Sequence, residues 1–324
     1  MGTRLAVWGA ERCEPMKTVS IALAILLLSS AAAAESASTL EPPAQRSGFG
    51  APAQRERAPR DGAGELRPGS RVLGTADVAA RVGPVGAAMR VGLVLHHTYE
   101  IDASGDHENS YLEGGLAVLA TPATLEPQAH VEYLPVPFLV LRGEFAAMRY
   151  LGVNYGLLSF ESPHADFGQD VISARKGDEE QAWGMRGGLS VIPRVKLGPV
   201  LLRSKLSFTA YHFDNPGPYV YDADLDTLLG TTDFVVTSRS DVLFELHDGP
   251  GAETLLLGPT VEVRRTFDSG LARTRVGASL WYVPTERWAN LHQPRLYAQA
   301  GINASDPNRR GEPFAVAGFG ADFY

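Results

Sequence analysis

Residues 129–160 read AHVEYLPVPFLVLRGEFAAMRYLGVNYGLLSF. From Phe145 to Leu157 the odd-numbered positions are mainly apolar, whereas the even-numbered positions include several small or polar residues. Alternate side chains of a β-strand point to opposite faces, so this pattern indicates a strand with one apolar face. We predict a hairpin in which Arg142-Gly143-Glu144 forms the tight turn and the second strand continues to Phe160.

A helix fits the same stretch poorly. Gly152 and Gly156 would each weaken a helix by about 1 kcal/mol relative to alanine. Pro135 and Pro137 lack a backbone donor, so we expect the first strand of the hairpin to be irregular there. A strand of a soluble sandwich can show the same alternation, and the choice between the two folds therefore depends on the rest of the chain.

The N-terminus has the features of an export signal. Met16-Lys17 precedes the apolar segment Val19–Leu28, and small residues follow as far as Ala34. This order is typical of a secretory signal peptide, and we predict one over residues 1–34, with Met16 as an alternative start. The only cysteine, Cys13, precedes the cleavage site, so the exported chain would carry no disulfide.

A linker is predicted between the signal peptide and the folded part. Residues 35–70 are rich in Pro, Ala, Gly and Arg and lack hydrophobic periodicity, so we expect a disordered periplasmic segment. No later stretch approaches 18 consecutive apolar residues, which argues against membrane-spanning helices. The net charge of −8 argues against nucleic acid as a partner.

The alternating pattern recurs throughout residues 71–324. We count about 12 such segments, with 10 as the alternative, and most are about 10–13 residues long. A tilted strand needs about 9–11 residues to cross an outer membrane, whereas strands of soluble proteins are usually about 5–6 residues long. Lipid offers no hydrogen-bond partners, so such a sheet must close on itself. The sequence therefore predicts an all-β fold, a closed antiparallel transmembrane β-barrel of the outer-membrane type.

The lengths of the connections agree with that topology. With both chain ends in the periplasm, the long connections 161–181, 214–231 and 303–311 lie outside. The connections predicted inside are short and comprise residues 142–144, 193–198, 248–252 and 284–288. Long outer loops and short periplasmic turns are typical of outer-membrane barrels.

Charged residues alternate with the apolar face on several predicted strands. We expect them to face the lumen and to form ion pairs across neighbouring strands, or alternatively to line a narrow charged pore. These residues are Arg203, Lys205, Arg239, Asp241, Glu245, Glu262, Arg264, Arg273 and Arg275.

Other candidates for chemistry are weaker. Asp222, Asp224 and Asp226 resemble the start of a calcium loop, but the glycine and the closing glutamate of an EF-hand are missing. The histidines are scattered and form no lipase-like string. We predict no catalytic residues, no metal site and no cofactor.

Two parts of the chain resemble known proteins. The terminal strand, with Phe319, Phe323 and Tyr324, resembles the signal read by the outer-membrane assembly machinery, although Asp322 departs from its usual form. Gly115–Val118, Tyr133–Pro137, Gly143, Phe145 and Arg149–Val153 together resemble the opening strands of the MipA/OmpV family. That family consists of outer-membrane barrels, and its name comes from a scaffold of a murein lytic transglycosylase.

These observations lead to one expectation and two alternatives. We expect a non-enzymatic structural or scaffold barrel in the outer membrane of a Gram-negative bacterium. The alternatives are a small-solute channel and a lipid-modifying enzyme. The expected partners are outer-membrane lipid and lipopolysaccharide, the barrel assembly machinery and, through the resemblance, a cell-wall enzyme complex.

Overall fold

The computed structural model describes residues 69–323, except 84, 101–109, 154–155, 215–216, 249–253, 285–286 and 289–290. The predicted signal peptide, residues 35–68 of the predicted linker, and Tyr324 lie outside the described residues. The first strand begins at Gly69, two residues before the predicted start of the barrel.

The described residues form strands and one short helix. The elements are β1 (Gly69–Val82), β2 (Gly86–Glu100), β3 (Ser110–Ala120), β4 (Thr124–Val136), β5 (Leu139–Leu151), β6 (Leu157–Phe160), α1 (Gln169–Ala174), β7 (Gln181–Leu197), β8 (Val200–Asp214), β9 (Tyr219–Asp222), β10 (Thr227–Gly230), β11 (Thr232–Asp248), β12 (Thr254–Thr266), β13 (Ala272–Val283), β14 (Arg287–Trp288), β15 (Leu291–Ser305) and β16 (Pro313–Phe323).

Twelve long strands form one closed antiparallel sheet. Each of β1–β5, β7, β8, β11–β13, β15 and β16 pairs with the next, and the first strand also pairs with the last. The register across the closure runs from Gly74 opposite Phe323 to Val82 opposite Ala315. Every one of these strands therefore has a partner on both sides, and the prediction of a closed 12-stranded barrel is confirmed.

The two faces of the sheet have opposite chemistry. Large apolar side chains such as Leu93, Leu116 and Leu189 are more than 60% exposed on the outside. Charged side chains such as Asp77 and Arg273 are buried in the interior. An outward apolar band around a polar interior is the pattern of a barrel surrounded by lipid. No helix among the described residues is long and apolar enough to cross a membrane.

Three of the four short strands close one end of the barrel, whereas β14 pairs with β15. β6, β9 and β10 form a separate three-stranded antiparallel sheet. We call this sheet, with its 223–226 turn, the lid. It lies at the end that carries the connections 152–180, 215–231, 267–271 and 306–312, the lid end. The short turns 137–138 and 198–199, and both ends of the described chain, lie at the opposite, turn end.

The lid is an apolar layer between the barrel wall and α1. Leu157, Val220 and Leu229 pack on wall residues such as Tyr211 and Phe213. The other face carries Leu158, Tyr221 and Leu228, which pack against Phe167, Leu271 and Ile172 of α1. The predicted long connection 214–231 is therefore not an irregular loop throughout, because it contains β9 and β10 and much of it is buried at the lid end.

The turn of the opening hairpin is also misplaced in the sequence prediction. Arg142, Gly143 and Glu144 lie within β5, opposite Glu132, Val131 and His130 of β4. The chain turns instead at 137–138, directly after β4 ends at Val136. Arg142 and Glu144 have ion-pair partners on the neighbouring strands β4 and β7, so they do not need to sit in a solvated turn.

Two other strand boundaries differ from the prediction. β5 ends at Leu151, and residues 157–160 leave the barrel to join the lid. β7 continues through Pro193 to Leu197, so the turn lies at 198–199 rather than at 193–198. Gly198 takes a φ of +59° there, a conformation that glycine adopts without steric cost.

Candidate functional site: the lid and the charged lumen

The lid turn is shaped by its own acidic residues. Asp222 accepts a hydrogen bond at Oδ1 from the backbone N–H of Leu225 at 2.8 Å. Its other oxygen accepts one from the Tyr150 hydroxyl of the barrel wall at 2.6 Å. Asp226 has a φ of +54°, a left-handed conformation that aspartate tolerates better than most residues. The sequence therefore forms a tight turn that is also attached to the wall.

Asp226 fixes the tip of this turn to the barrel. Its Oδ2 lies 2.7 Å from Nη1 of Arg273 on β13. Its Oδ1 lies 3.0 Å from Nε and Nη2 of Arg309 and accepts a hydrogen bond from the Tyr221 hydroxyl at 2.9 Å. These side chains are all buried. A buried charge needs partners of this kind because transfer from water alone would cost several kcal/mol.

Arginines also bind the backbone of the lid turn. Arg264 and Arg273 both donate to the carbonyl oxygen of Leu225. From β1, Arg81 donates to the carbonyl oxygens of Ala223 and Asp224, the latter at 2.7 Å. Five strands lie between β8 and β1 in either direction around the barrel. The hairpin that follows β8 therefore reaches across the lumen to the opposite wall.

The charges around the turn set its protonation. Burial alone would raise the pKa of Asp226, but Arg273, Arg309 and Arg275 outweigh burial, and the pKa is lowered. Burial and the charge of Asp226 together raise the pKa of Tyr221 well above its usual value. Asp226 is therefore held ionised, and Tyr221 is held as a neutral hydrogen-bond donor.

The predicted lumen residues fall into several groups. Arg239 donates to Asp241 at 3.1 Å, and Arg203 lies 3.8 Å from the same carboxylate. Glu262 lies 3.3 Å from Arg264 and 3.9 Å from Arg275. The first pair of arginines thus meets Asp241, and the second meets Glu262.

Three members of the predicted set lie apart from these groups. Arg273 binds the lid as described above. Glu245 pairs with Lys196 at 2.9 Å towards the turn end. Lys205 interacts electrostatically with Glu144 on the side of the lumen formed by β5.

A second charged network was not predicted from the sequence. Arg142 pairs with Glu132 at 3.1 Å, and Arg186 pairs with Glu144 at 2.8 Å and with Glu126 at 3.4 Å. These residues join β4, β5 and β7 inside the lumen. Period-two alternation along β4 and β5 would have placed them on one face, but the turn assigned to 142–144 hid that pattern.

Two smaller buried clusters were also missed. Glu113 lies between two histidines, 3.2 Å from Nδ1 of His96 and 3.3 Å from Nε2 of His130. Arg295 joins Asp77 at 3.0 Å and Asp322 at 3.1 Å across the closure of the barrel. The second cluster explains why Asp322 interrupts the apolar terminal strand, because its side chain belongs to the lumen face.

The calcium-like run Asp222-Ala223-Asp224-Leu225-Asp226 is the lid turn itself. Asp224 lies 3.5 Å from Arg81, and the other two carboxylates have the partners described above. Among the residues that the structure describes, no three His, Cys, Asp or Glu side chains form a group that could hold a metal ion. Cationic side chains and hydroxyl groups contact these carboxylates instead.

The terminal strand presents Phe319 and Phe323 to the outside. Phe319 and Phe323 alternate with the buried lumen residues Gly320 and Asp322 on β16. The ring of Phe323 covers Gly74 of β1 so closely that a side chain there would displace it. The predicted assembly residues Phe319 and Phe323 therefore lie at the seam where the barrel closes.

A cavity lies in the lumen beside the tip of the lid. The centres of water-sized molecules can occupy about 50 Å³ of it, and the cavity opens to solvent. Its polar lining comes from Arg81, Arg90, Gln128, Arg186, Thr121 and Asp224, and its apolar lining is mainly alanine. Three arginines and one aspartate line this cavity, and Arg186 also has the ion pairs with Glu144 and Glu126 described above.

Comparisons with known proteins concern the barrel alone. No family model matches the chain, and no curated protein matches it. Among solved structures, the β domain of the Bordetella autotransporter BrkA is 12% identical, with 78% of this chain and 98% of that chain covered and a TM-score of 0.39. The KdgM porin in complex with oligogalacturonate is 9% identical, with 78% and 99% covered and a TM-score of 0.37. LpxR from Salmonella typhimurium is 11% identical, with 78% and 100% covered and a TM-score of 0.34.

The closed sheet, the apolar exterior and the charged interior define the class of this protein. It is an outer-membrane-type β-barrel, with a lid built from its own chain at one end. At such low identities and scores, these resemblances carry no argument about activity.

Proposed function

We propose that this protein is a non-enzymatic structural barrel of the Gram-negative outer membrane, with its lid end facing the outside and closed. The observation that carries the proposal is that the lid hairpin, which leaves the barrel at β8, is attached to β13 through Asp226 and to β1 through Arg81. A segment held by buried ion pairs on several strands favours a closed state over a permanently open pore. Outer-membrane lipid and lipopolysaccharide would then surround the apolar exterior.

The finer proposal is a scaffold of the MipA/OmpV type. The residues that resemble that family lie mainly on the adjacent strands β3, β4 and β5. The turn 137–138 joins two of these strands at the turn end, which faces the periplasm in the proposed orientation. A cell-wall enzyme complex could dock at that end without contact with the lid.

Two measurements on one preparation test this function. In planar bilayers, the wild-type protein should give no steady conductance, because the lid covers the lumen. A pull-down from the same detergent extract should recover cell-wall enzymes. Sustained ion conductance would contradict the closed barrel, whereas silence with no enzyme recovered would leave the closed barrel standing and remove the scaffold role.

Export and assembly are a separate part of the proposal. The signal peptide would direct the chain through the inner membrane, and Phe319 and Phe323 would be read by the barrel assembly machinery. Both rings lie on the outward face of the terminal strand, where another protein could contact them during closure. Loss of the protein from the outer-membrane fraction after removal of residues 16–34 would support this route.

A gated small-solute channel is the second candidate. The cavity beside the lid tip favours it, because it gives a soluble molecule an arginine-lined space within the lumen. The alternative of a lipid-modifying enzyme lacks comparable support from the described histidines. His96 and His130 lie buried with Glu113 on the lumen side, away from lipid.

A further inference from the structure

We propose that the cavity beside the lid is a binding site for a small soluble anion bearing a carboxylate or phosphate group. Its walls are the inner faces of β1, β2, β3, β4, β7 and β16, together with the lid residue Asp224. The site lies inside the sheet, so the barrel wall separates it from lipid head groups. This inference does not depend on the scaffold role.

The arginines of the cavity are placed for oxyanion recognition. Arg81 stands at the lid end of β1, and Arg90 and Arg186 lie farther down the lumen on β2 and β7. Guanidinium groups bind carboxylates and phosphates through paired N–H donors, and they remain charged throughout the physiological range. Thr121 and Gln128 add polar groups that can bind hydroxyl groups of a larger solute.

Asp224 already occupies one of these arginines in the manner of a ligand. Its Oδ1 lies 3.5 Å from Nη2 of Arg81, and both side chains are about one-fifth exposed. A carboxylate of the chain itself thus shows how an anion can approach Arg81 from the cavity. An incoming anion would compete with Asp224 for Arg81, while the Asp226 contacts lie outside the cavity lining.

Small residues make the space that a solute would fill. Ala79, Gly86 and Ala88 line the cavity between the arginines. Larger side chains at these positions would reduce the space without changing any charge. The size of the cavity and the charge of its lining can therefore be varied separately by substitution.

Isothermal titration on the purified barrel in detergent at low salt tests the site. The probes are glucuronate and inorganic phosphate, with glucose as a neutral molecule of the size of glucuronate. We expect saturable binding of at least one anion, weakening as chloride is added, and no binding of glucose. Arg81→Gln should reduce affinity by about tenfold or more, the loss expected when a charged hydrogen bond is removed. The cavity-filling Ala88→Leu should also weaken binding measurably, because its side chain occupies the space of the solute.

Arg149→Gln is the matched control. It removes the same charge from a side chain that lies over Trp183, outside the cavity lining, and affinity should not change. Heat-modifiable gel migration reports whether each variant is folded, and Ala88→Leu keeps the test decisive if Arg81→Gln does not fold. Binding of glucose as tight as that of the anions, no anion binding at all, or unchanged affinity in both folded cavity variants would overturn the site.

Discussion

Asp226 is a single residue on which three parts of the molecule converge. Its carboxylate contacts Arg273 on β13, Arg309 in the 306–312 connection, and Tyr221 within the lid. Removing one partner from a buried ion pair costs about 3–5 kcal/mol, because the remaining charges stay buried without compensation. The free energy that holds the lid closed should therefore be sensitive to this side chain.

The substitution Asp226→Asn should lower the free energy of unfolding by about 3–5 kcal/mol, the cost of removing one partner from a buried ion pair. The asparagine keeps the shape but loses the charge that faces Arg273 and Arg309. Urea unfolding of the barrel in lipid vesicles, followed by tryptophan fluorescence, measures the change.

Asp224→Asn is the control for that experiment. The carboxylate lies on the same turn but is 21% exposed, and its ion pair with Arg81 has a distance of 3.5 Å. Exposed or partly exposed pairs contribute about 0–1 kcal/mol, so this variant should change stability little. Equal losses in the two variants would mean that Asp226 has no special part in holding the lid.

Acid should loosen the lid through the same carboxylate. The pKa of folded Asp226 is lowered, so its contribution to stability is present above its ordinary value of about 4 and is lost as the pH falls below it. Hydrogen exchange of residues 219–230, corrected for the intrinsic pH dependence of exchange, should show faster opening below about pH 4. The Asp226→Asn variant should lack that acid-dependent step, and an identical step in both proteins would assign it to another group.

The lid hairpin of β9 and β10 buries both of its faces. Val220 and Leu229 face the barrel wall, whereas Tyr221 and Leu228 face the layer that contains α1. Full burial of a large apolar side chain contributes about 1.5–3 kcal/mol. The hairpin is therefore held by apolar packing along its length and by ion pairs at its tip.

Replacement of residues 217–231 by a short Gly-Ser linker should open the lumen without preventing closure of the barrel. β8 and β11 pair directly from His212 and Thr232 onwards, so the hairpin is not needed to align them. We expect the shortened protein to conduct in planar bilayers and the wild-type protein to remain silent. Asp224→Asn, which leaves the hairpin intact, should also be silent.

A shortened protein that migrates as a folded barrel but does not conduct would place the closure elsewhere. The lumen networks around Asp241 and Glu144 would then be the barrier. In that case the lid would cover a lumen that is already blocked by its own side chains.

The sequence predicted the wall strands better than the lid. On β12 and β13, Val261 and Val276 point out while Glu262 and Arg275 point in, and this alternation can be read directly from the chain. β9 and β10 have only four residues each, too few to establish a period. Their partners are distant in sequence, so their burial depends on contacts that a local pattern does not contain.

The same limit applies to the candidate site. Alternation identified Arg273 and Asp226 as notable residues, but Arg273 was assigned to ion pairs between neighbouring strands and Asp226 to a calcium-like run. Their contact joins positions 47 residues apart. Only the closed topology brings β13 and the lid turn together, and spacing along the chain could not reveal this pair.

The barrel as a whole reverses the distribution of soluble proteins, in which apolar residues lie inside and charged residues lie outside. Leu93 and Val82 are 62% and 60% exposed on the outside, while Arg264 and Asp241 are almost fully buried inside. In water, an exterior of this kind would be an aggregation surface. In a bilayer it removes any need to bury a separate apolar core, so the lumen can be filled with ion pairs.

Arginine substitutions at two depths test this arrangement directly. Leu93 is the central residue of β2 and lies opposite Leu116 of β3, whereas Val82 is the last residue of β1. On the lipid face of a barrel, arginine costs about 2–4 kcal/mol at the midplane and about 0–1 kcal/mol near the interface. In lipid vesicles, Leu93→Arg should therefore lower the unfolding free energy by about 2–4 kcal/mol, and Val82→Arg by less than about 1 kcal/mol. The side chains of Leu93 and Val82 are almost equally exposed, so exposure alone would give equal losses of unfolding free energy. Equal losses would therefore contradict a barrel that crosses the bilayer at this depth.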